Sequence, residues 1–176
     1  MISAHIEQIV SHGSTETVET LQCLKLDFLG ADLDSTVLPS DYPVRGPAPG
    51  LVSRSYERIF RFRATEINEA SAVKNFRIWT PNNPIVTGIS MYLGCSQTYP
   101  DGGPAIEARD PDLATTLVPT TDPGDSSPNV TIGGSLTGEL TADGDYTDYV
   151  VLQLRLSDTA VSGFATTIYF GWQEVA

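Results

Sequence analysis

The chain has 176 residues and a mass of 18.9 kDa, a length that suits one well-formed core, although two small domains are possible. Its formal net charge of −12 argues against nucleic-acid binding as a main role, because neutralising phosphates requires a sizeable basic surface. No apolar run approaches the ~20 residues of a membrane helix, and MISAHIEQIVSHG lacks the basic and apolar regions of a secretory signal. We therefore expect no membrane partner and no export by such a signal.

The first fifty residues predict a weak strand region followed by an extended arm. Residues 2–12 form either a short strand or one helical turn, and TETVETLQCLKLDFLG alternates imperfectly, as a strand does. The following stretch, ADLDSTVLPSDYPVRGPAPG, has four prolines, which disfavour both helix and central strand. It is either a surface loop or an arm that makes contacts with a partner. We accordingly divide the chain into residues 1–50 and a domain over residues 51–176.

Three strands are predicted in the stretch after Leu51. In RIFRFRAT the alternation points Phe60 and Phe62 into the core and Arg61 and Arg63 outward. The other two strands are VKNFRIWT, with Phe76 and Ile78 on one face and Arg77 and Trp79 on the other, and PIVTGISMYLG, with Val86, Ile89, Met91 and Leu93 near the core and Gly88 as a bulge.

Strand patterning weakens after residue 94 and returns near the C-terminus. Short edge strands are expected around Ile106 and Thr115–Val118. The run YVVLQLRL alternates most regularly and predicts a central strand, and TTIYFGWQEV predicts a final core strand. About eight strands at irregular spacing predict an all-β, antiparallel β-sandwich, either jelly-roll or immunoglobulin-like, with an extended N-terminal arm.

Positive charge is concentrated in one stretch. Residues 45–80 carry seven basic side chains against three acidic ones, whereas residues 1–44 have one lysine against seven acids and residues 81–176 have two arginines against twelve acids. This basic group could dock on an acidic neighbour, including a second copy of the chain, or it could pair within its own chain, either with nearby acids such as Glu57, Glu66 and Glu69 or with the acidic C-terminal half. The candidate subunit contact consists of Arg54, Arg58, Arg61, Arg63 and Arg77.

Other residue groups do not indicate catalysis. Histidine occurs only at His5 and His12, and the two cysteines, Cys23 and Cys95, are too few for a disulfide scaffold or a cysteine-based zinc site and predict free thiols. We therefore expect no catalytic residues, no metal and no cofactor. Two binding alternatives stay open: a turn or a Ca²⁺ site at Asp143, Asp145 and Asp148, and core packing or sugar stacking by Trp79, Tyr92 and Tyr99.

Several segments in order resemble a family of structural proteins encoded in the morphogenesis regions of tailed bacteriophages. The similar features are a strand with N-F-R-hydrophobic-W, a P-hydrophobic-x-G turn into the next strand, and a strand with D-Y-hydrophobic-hydrophobic-L-Q-L. Together they cover about residues 54–176. The segments are YERIFRFRAT, VKNFRIWTPNNPIVTGISMYLGCSQTY, VPTTDP, GGSLTG, DYTDYVVLQLRL and TTIYFGWQEV.

The resemblance implies a non-enzymatic virion component that is assembled in the host bacterial cytoplasm. A capsid decoration or cement protein that stabilises the head is the leading expectation, because the chain is small and acidic and has a proline-rich arm. Its partners would be the major capsid protein and copies of itself, as a possible trimer. The alternatives are a tail- or fibre-associated virion protein and a carbohydrate- or receptor-binding module.

Overall fold

A computed structural model describes residues 4–13, 15–19, 26–29, 40–41, 43–67, 71–100, 113–162 and 165–176. Within these ranges every strand pairing is antiparallel and the strands form two sheets, which pack face to face. The predicted all-β antiparallel sandwich is therefore confirmed. Its elements are β1 Ala4–His12, β2 Thr17–Glu19, β3 Val52–Arg54, β4 Arg58–Ile67, β5 Ala72–Trp79, β6 Ile89–Ser96, β7 Thr116–Leu117, a 3-10 turn Gly134–Leu136, β8 Glu139–Leu140, β9 Tyr149–Ser157 and β10 Tyr169–Val175.

The larger sheet has the strand order β2-β1-β4-β9-β6-β7, with β3 also paired to β9, and the smaller sheet has the order β10-β5-β8. Strand β9 bonds to β4, β6 and β3, so the predicted central position of YVVLQLRL is confirmed. Its alternation explains the burial: Val150, Leu152 and Leu154 face the interior between the sheets.

Aromatic side chains from both sheets meet in the interior. Phe62 on β4 stacks on Phe76 of β5 with ring centroids 5.5 Å apart, and it contacts Phe170 of β10 edge-on at 5.2 Å. Phe60 packs against Phe62 and Phe170, and Phe76 against Trp172. These rings therefore join the two sheets, as the inward orientation predicted for Phe60, Phe62 and Phe76 requires.

One detail of the predicted strands is wrong. Gly88, with φ +76°, lies in the turn before β6 and is not a bulge within it; the turn also has the bridge between Val86 and Ile89. Strand β10 packs Phe170 and Trp172 against the core, as predicted for the final strand, and it lies at the edge of the smaller sheet. Of the two expected edge strands, the one near Thr115–Val118 is β7, and Ile106 lies outside the described residues.

The N-terminal strand region shares the larger sheet. Residues Ala4–His12 form a strand between β2 and β4, so the alternative of a helical turn is wrong there. Leu29 is fully buried, and Phe28 and Val44 pack against the core beside a cavity of about 700 Å³ between the sheets. Most of the predicted arm, residues 30–39 and 42, lies outside the described residues.

A second, smaller apolar cluster covers the outer face of the larger sheet. It contains Ile59 and Val151, with the segment around Ala114 packed over them. Gly94 on β6 permits this approach, because a Cβ there would lie 1.8 Å from the Leu113 carbonyl oxygen. The central strands of the larger sheet are consequently covered on both faces at this point.

Truncating a core side chain from either central strand should destabilise the protein strongly. Phe60 and Leu152 are fully buried, and Phe60→Ala or Leu152→Ala should lower the free energy of unfolding by about 2–5 kcal/mol, measured by urea denaturation. Leu117→Ala is the matched control, because Leu117 is 47% exposed and should change stability little. Equal losses in Leu117→Ala and Leu152→Ala would contradict the burial assigned to β9.

Candidate functional site

The structure separates the five arginines of the candidate subunit contact. Arg54, Arg61 and Arg63 lie on the outer face of the larger sheet, as their register with β9 and β1 requires. Arg58 pairs with Leu152 and is buried on the same face as Phe60, and Arg77 belongs to the smaller sheet. The five side chains therefore do not form one continuous surface; only Arg61 and Arg63 come together.

Arg61 is held in a cluster of aromatic and polar side chains, which we call the Arg61 cluster: Ser11, Glu16, Arg61, Tyr146 and Tyr149. Its guanidinium carbon lies 3.9 Å from the centroid of the Tyr146 ring and 4.7 Å from that of Tyr149. Glu16 lies 3.7 Å from the guanidinium and accepts hydrogen bonds from Ser11 and Tyr149 at 3.0 and 2.9 Å. Stacking and ion pairing together fix the position of this cation.

Tyr149 is the titratable group most affected by this cluster. Burial, and then its hydrogen bond to Glu16, raise the pKa of the phenol to about 12, while Arg61 acts in the opposite direction. The neutral hydroxyl is therefore the form that the folded protein stabilises. It stays a donor to Glu16 throughout the physiological pH range.

Arg63 makes the more exposed of the two neighbouring ion pairs. Its Nη1 donates to Glu7 Oε1 at 3.1 Å, and the two side chains are 41% and 42% exposed. Exposed pairs of this kind contribute little to stability, about 0–1 kcal/mol, because water competes with the partner. Arg63 can therefore exchange Glu7 for another acid at small cost.

Arg54 lies further along the same outer face, beside a second cation. Its Nη1 donates to Gln153 Oε1 at 3.3 Å, and the register places it opposite Arg155. Arg155 in turn lies 3.9 Å from the centroid of the Tyr92 ring and donates to the Ala114 carbonyl at 2.5 Å. This end of the face is therefore covered by the segment that contains Ala114.

Arg77 is bound within its own chain. Its Nε lies 2.9 Å from Asp122 Oδ1, an ion pair without the alignment of a hydrogen bond, and its Nη1 donates to Asp125. The side chain is only 10% exposed. Its partners come from the acidic C-terminal half, as one of the two interpretations anticipated. Of the acids named in the same interpretation, Glu66 lies 3.7 Å from His5, and Glu69 is outside the described residues.

The carboxylates of the acidic loop before β9 accept hydrogen bonds from the chain itself, mostly from backbone amides. Asp143 accepts from the Ile67 amide at 2.8 Å, Asp145 from the Thr141 and Ala142 amides, and Asp148 from the Gly133 amide and the Thr131 hydroxyl. Residues 144–147 also bond to the edge of β4 that β9 leaves open. The described part of the chain has no group of three His, Cys, Asp or Glu side chains that could hold a metal ion.

Two asparagines that join distant segments were not recognised in the sequence. Asn129 bonds to both the amide and the carbonyl of Ile78 at 2.8 Å, and Asn83 bonds to Met91 and to the Val118 carbonyl. Asn129 begins the triplet Asn-Val-Thr, which has the form of a glycosylation sequon, and Asn83 precedes Pro84 in a turn. Neither context indicates a hydrogen bond to a distant strand. Their partners lie up to 51 residues away.

The remaining candidates have structural contacts. Cys95 is a free thiol that donates to the Asn129 carbonyl at 3.6 Å, and burial raises its pKa, which favours the weakly nucleophilic thiol form. Cys23 lies outside the described residues. Tyr99 donates to the Gly13 carbonyl and packs on Tyr149, whereas Trp79 stacks on Tyr169 at the surface of the smaller sheet.

No family model matches the sequence, and neither a curated protein nor a solved structure is significantly similar to it. Over the described ranges, no helix has the length and apolar character needed to cross a membrane.

Removing the Tyr149 hydroxyl should change how stability depends on pH. Because the folded-state pKa is raised above 10, this group's contribution is present below pH 10 and is lost as the pH rises toward 12. Tyr149→Phe should be about 1 kcal/mol less stable at neutral pH and should lose less stability over that alkaline range. Urea unfolding across this pH range measures both effects.

Tyr169→Phe is the control for the loss of a phenol hydroxyl. Because Tyr169 is 45% exposed, losing its hydroxyl should leave the stability at neutral pH unchanged. Identical alkaline losses in wild type and Tyr149→Phe would contradict the role assigned to the Glu16 hydrogen bond.

Proposed function

We propose that this chain is a non-enzymatic structural protein of a tailed-phage particle, and that it decorates the capsid and stabilises the head. The observation that carries the proposal is where the phage-like segments lie: they supply β4, β6 and β9 of the larger sheet and β5 and β10 of the smaller sheet. The resemblance thus concerns the residues that build the sandwich. Its partners in this proposal are the major capsid protein and further copies of the chain, as a trimer.

The outer face of the larger sheet supports a specific place for the contact. On a chain of net charge −12, Arg61 is fixed by two aromatic rings, and Arg63 next to it forms an ion pair with Glu7 in which both side chains are about two-fifths exposed. A fixed cation requires little ordering on binding, and an exchangeable one can form a new ion pair. We propose that an acidic surface of a neighbouring subunit binds here.

Arg58 and Arg77 do not belong to the proposed contact. They are 3% and 8% exposed, so a partner could reach them only after the chain rearranged. The contact is therefore narrowed from five arginines to the pair Arg61 and Arg63, with Arg54 at the margin of the same face.

Mass spectrometry of purified particles tests the proposed location. The chain should be present at a constant ratio to the major capsid protein, in a copy number set by the capsid lattice. A copy number of only a few would move the protein to the tail. Its absence from particles would overturn the proposal.

Arg63→Ala should weaken attachment to undecorated capsids without unfolding the isolated protein, and added salt should reduce wild-type attachment in the same direction. Sedimentation of the full chain with capsids measures attachment, and circular dichroism measures the fold. Lys74→Ala is the matched control, because Lys74 forms a comparable 2.8 Å pair with Glu139 on the other sheet. Unfolding of the Arg63→Ala monomer, or an equal loss of attachment in Lys74→Ala, would contradict this assignment.

A further inference from the structure

The outer face of the smaller sheet carries an aromatic pair at the surface. Trp79 on β5 lies opposite Tyr169 on β10, and their rings stack with centroids 5.5 Å apart and an interplanar angle of 20°. Tyr169 is 45% exposed and Trp79 is half-buried. The aromatic residues Phe60, Phe62 and Phe76 are, in contrast, buried between the sheets. This pair therefore presents ring surface to solvent.

Gly171 leaves the outer face of the smaller sheet without a side chain next to that pair. It lies opposite Arg77 in the register, and a Cβ at this position would be 3.0 Å from Arg77 Nη2 and 3.2 Å from Trp79 Cζ3. Any larger residue would displace one of these side chains. The Trp79 ring and the Arg77 guanidinium therefore lie side by side over bare backbone.

Polar groups with fixed geometry adjoin the rings. Arg77 is held by Asp122 and Asp125, whose side chains remain 42% and 52% exposed. The Asn75 side-chain amide donates to Gln173 Oε1 at 2.7 Å, which fixes two planar amides on the next rung of the sheet. Hydrogen-bond donors and acceptors are thus held in place around Arg77, which lies two positions from Trp79 on β5.

The local charge selects among possible ligands. One guanidinium against two carboxylates leaves one net negative charge, and the adjoining Lys74–Glu139 pair is neutral. An anionic ligand such as a phosphate, a sialylated glycan or an acidic peptide would be repelled. A neutral ligand that donates hydroxyl hydrogen bonds to carboxylates would be accepted.

We propose that these residues form a carbohydrate-binding face for neutral sugars, which we call the Trp79 face: Asn75, Trp79, Asp122, Asp125, Tyr169 and Gln173. The buried Arg77 does not contact the sugar; it holds the two aspartates in position. One apolar face of a pyranose ring packs on the exposed aromatic surface, and its hydroxyls donate to Asp122 and Asp125. This binding is independent of the capsid contact, because the Trp79 face is on the opposite sheet from Arg61 and Arg63.

A glycan array probed with the full chain tests the proposal. The array would carry neutral oligosaccharides of glucose, galactose and N-acetylglucosamine beside sialylated and phosphorylated glycans. Binding to one or more neutral glycans is expected. Adding the oligosaccharide that binds to the protein in solution should change its tryptophan fluorescence, because Trp79 lies in the site. No binding, or binding to the charged glycans alone, would overturn the proposal.

Variants assign the binding to this face. Tyr169→Ala should weaken affinity about tenfold through lost ring contact, while Tyr169→Phe should retain binding because the ring is kept. Leu117→Ala, an exposed substitution on the larger sheet, should bind as the wild type does. Thermal melting followed by circular dichroism confirms that each variant is folded. Undiminished binding by a folded Tyr169→Ala and by Asp125→Asn would overturn the assignment.

Discussion

Contact between Phe62 on one sheet and Phe76 and Phe170 on the other is the interaction on which the rest of the structure depends. Each buried phenylalanine contributes about 1.5–3 kcal/mol, and the ring pairs contribute about 0.5–1.5 kcal/mol more. Strand β4, which carries Phe62, is also bonded to β1 on one edge and to β9 and residues 144–147 on the other. The two outer faces keep their shape because this centre holds the sheets in one relative position.

Those outer faces use the same residue types in different ways. On the larger sheet, Arg61 and Arg63 lie over tyrosine rings, and each is paired with one carboxylate, Glu16 and Glu7 respectively. On the smaller sheet, Arg77 is paired with two carboxylates, Asp122 and Asp125. Beside it, the Trp79 ring stacks on the Tyr169 ring. One sandwich therefore has a surface of matched arginine–carboxylate pairs on one side and a weakly acidic aromatic surface on the other.

The strands and their inward faces could be predicted because a buried strand face repeats every second residue, as in β4, β5 and β9. The partners of the arginines could not. Arg77 and Asp125 are 48 residues apart, and Arg61 meets Glu16 from another strand pair, so neither contact leaves a periodic signal. The sequence of the acidic loop is typical of a solvated turn. Residues 144–147 nevertheless bond to β4, because β9 pairs with only the first part of that strand and leaves the rest of its edge open. A strand was one of the two alternatives for residues 2–12, but its place between β2 and β4 could not be predicted, because pairing between distant strands leaves no local signal.

Asn129 shows how much can depend on one nitrogen atom. Its side-chain amide meets Ile78 as a neighbouring strand would, with one donor and one acceptor. Hydrolytic deamidation of that amide would leave the side chain almost the same size, but it would place a negative oxygen against the Ile78 carbonyl. The segment between β7 and the 3-10 turn is thus joined to the smaller sheet by a group that slow chemical ageing can alter. The durability of the folded sandwich would then have a chemical limit as well as a mechanical one.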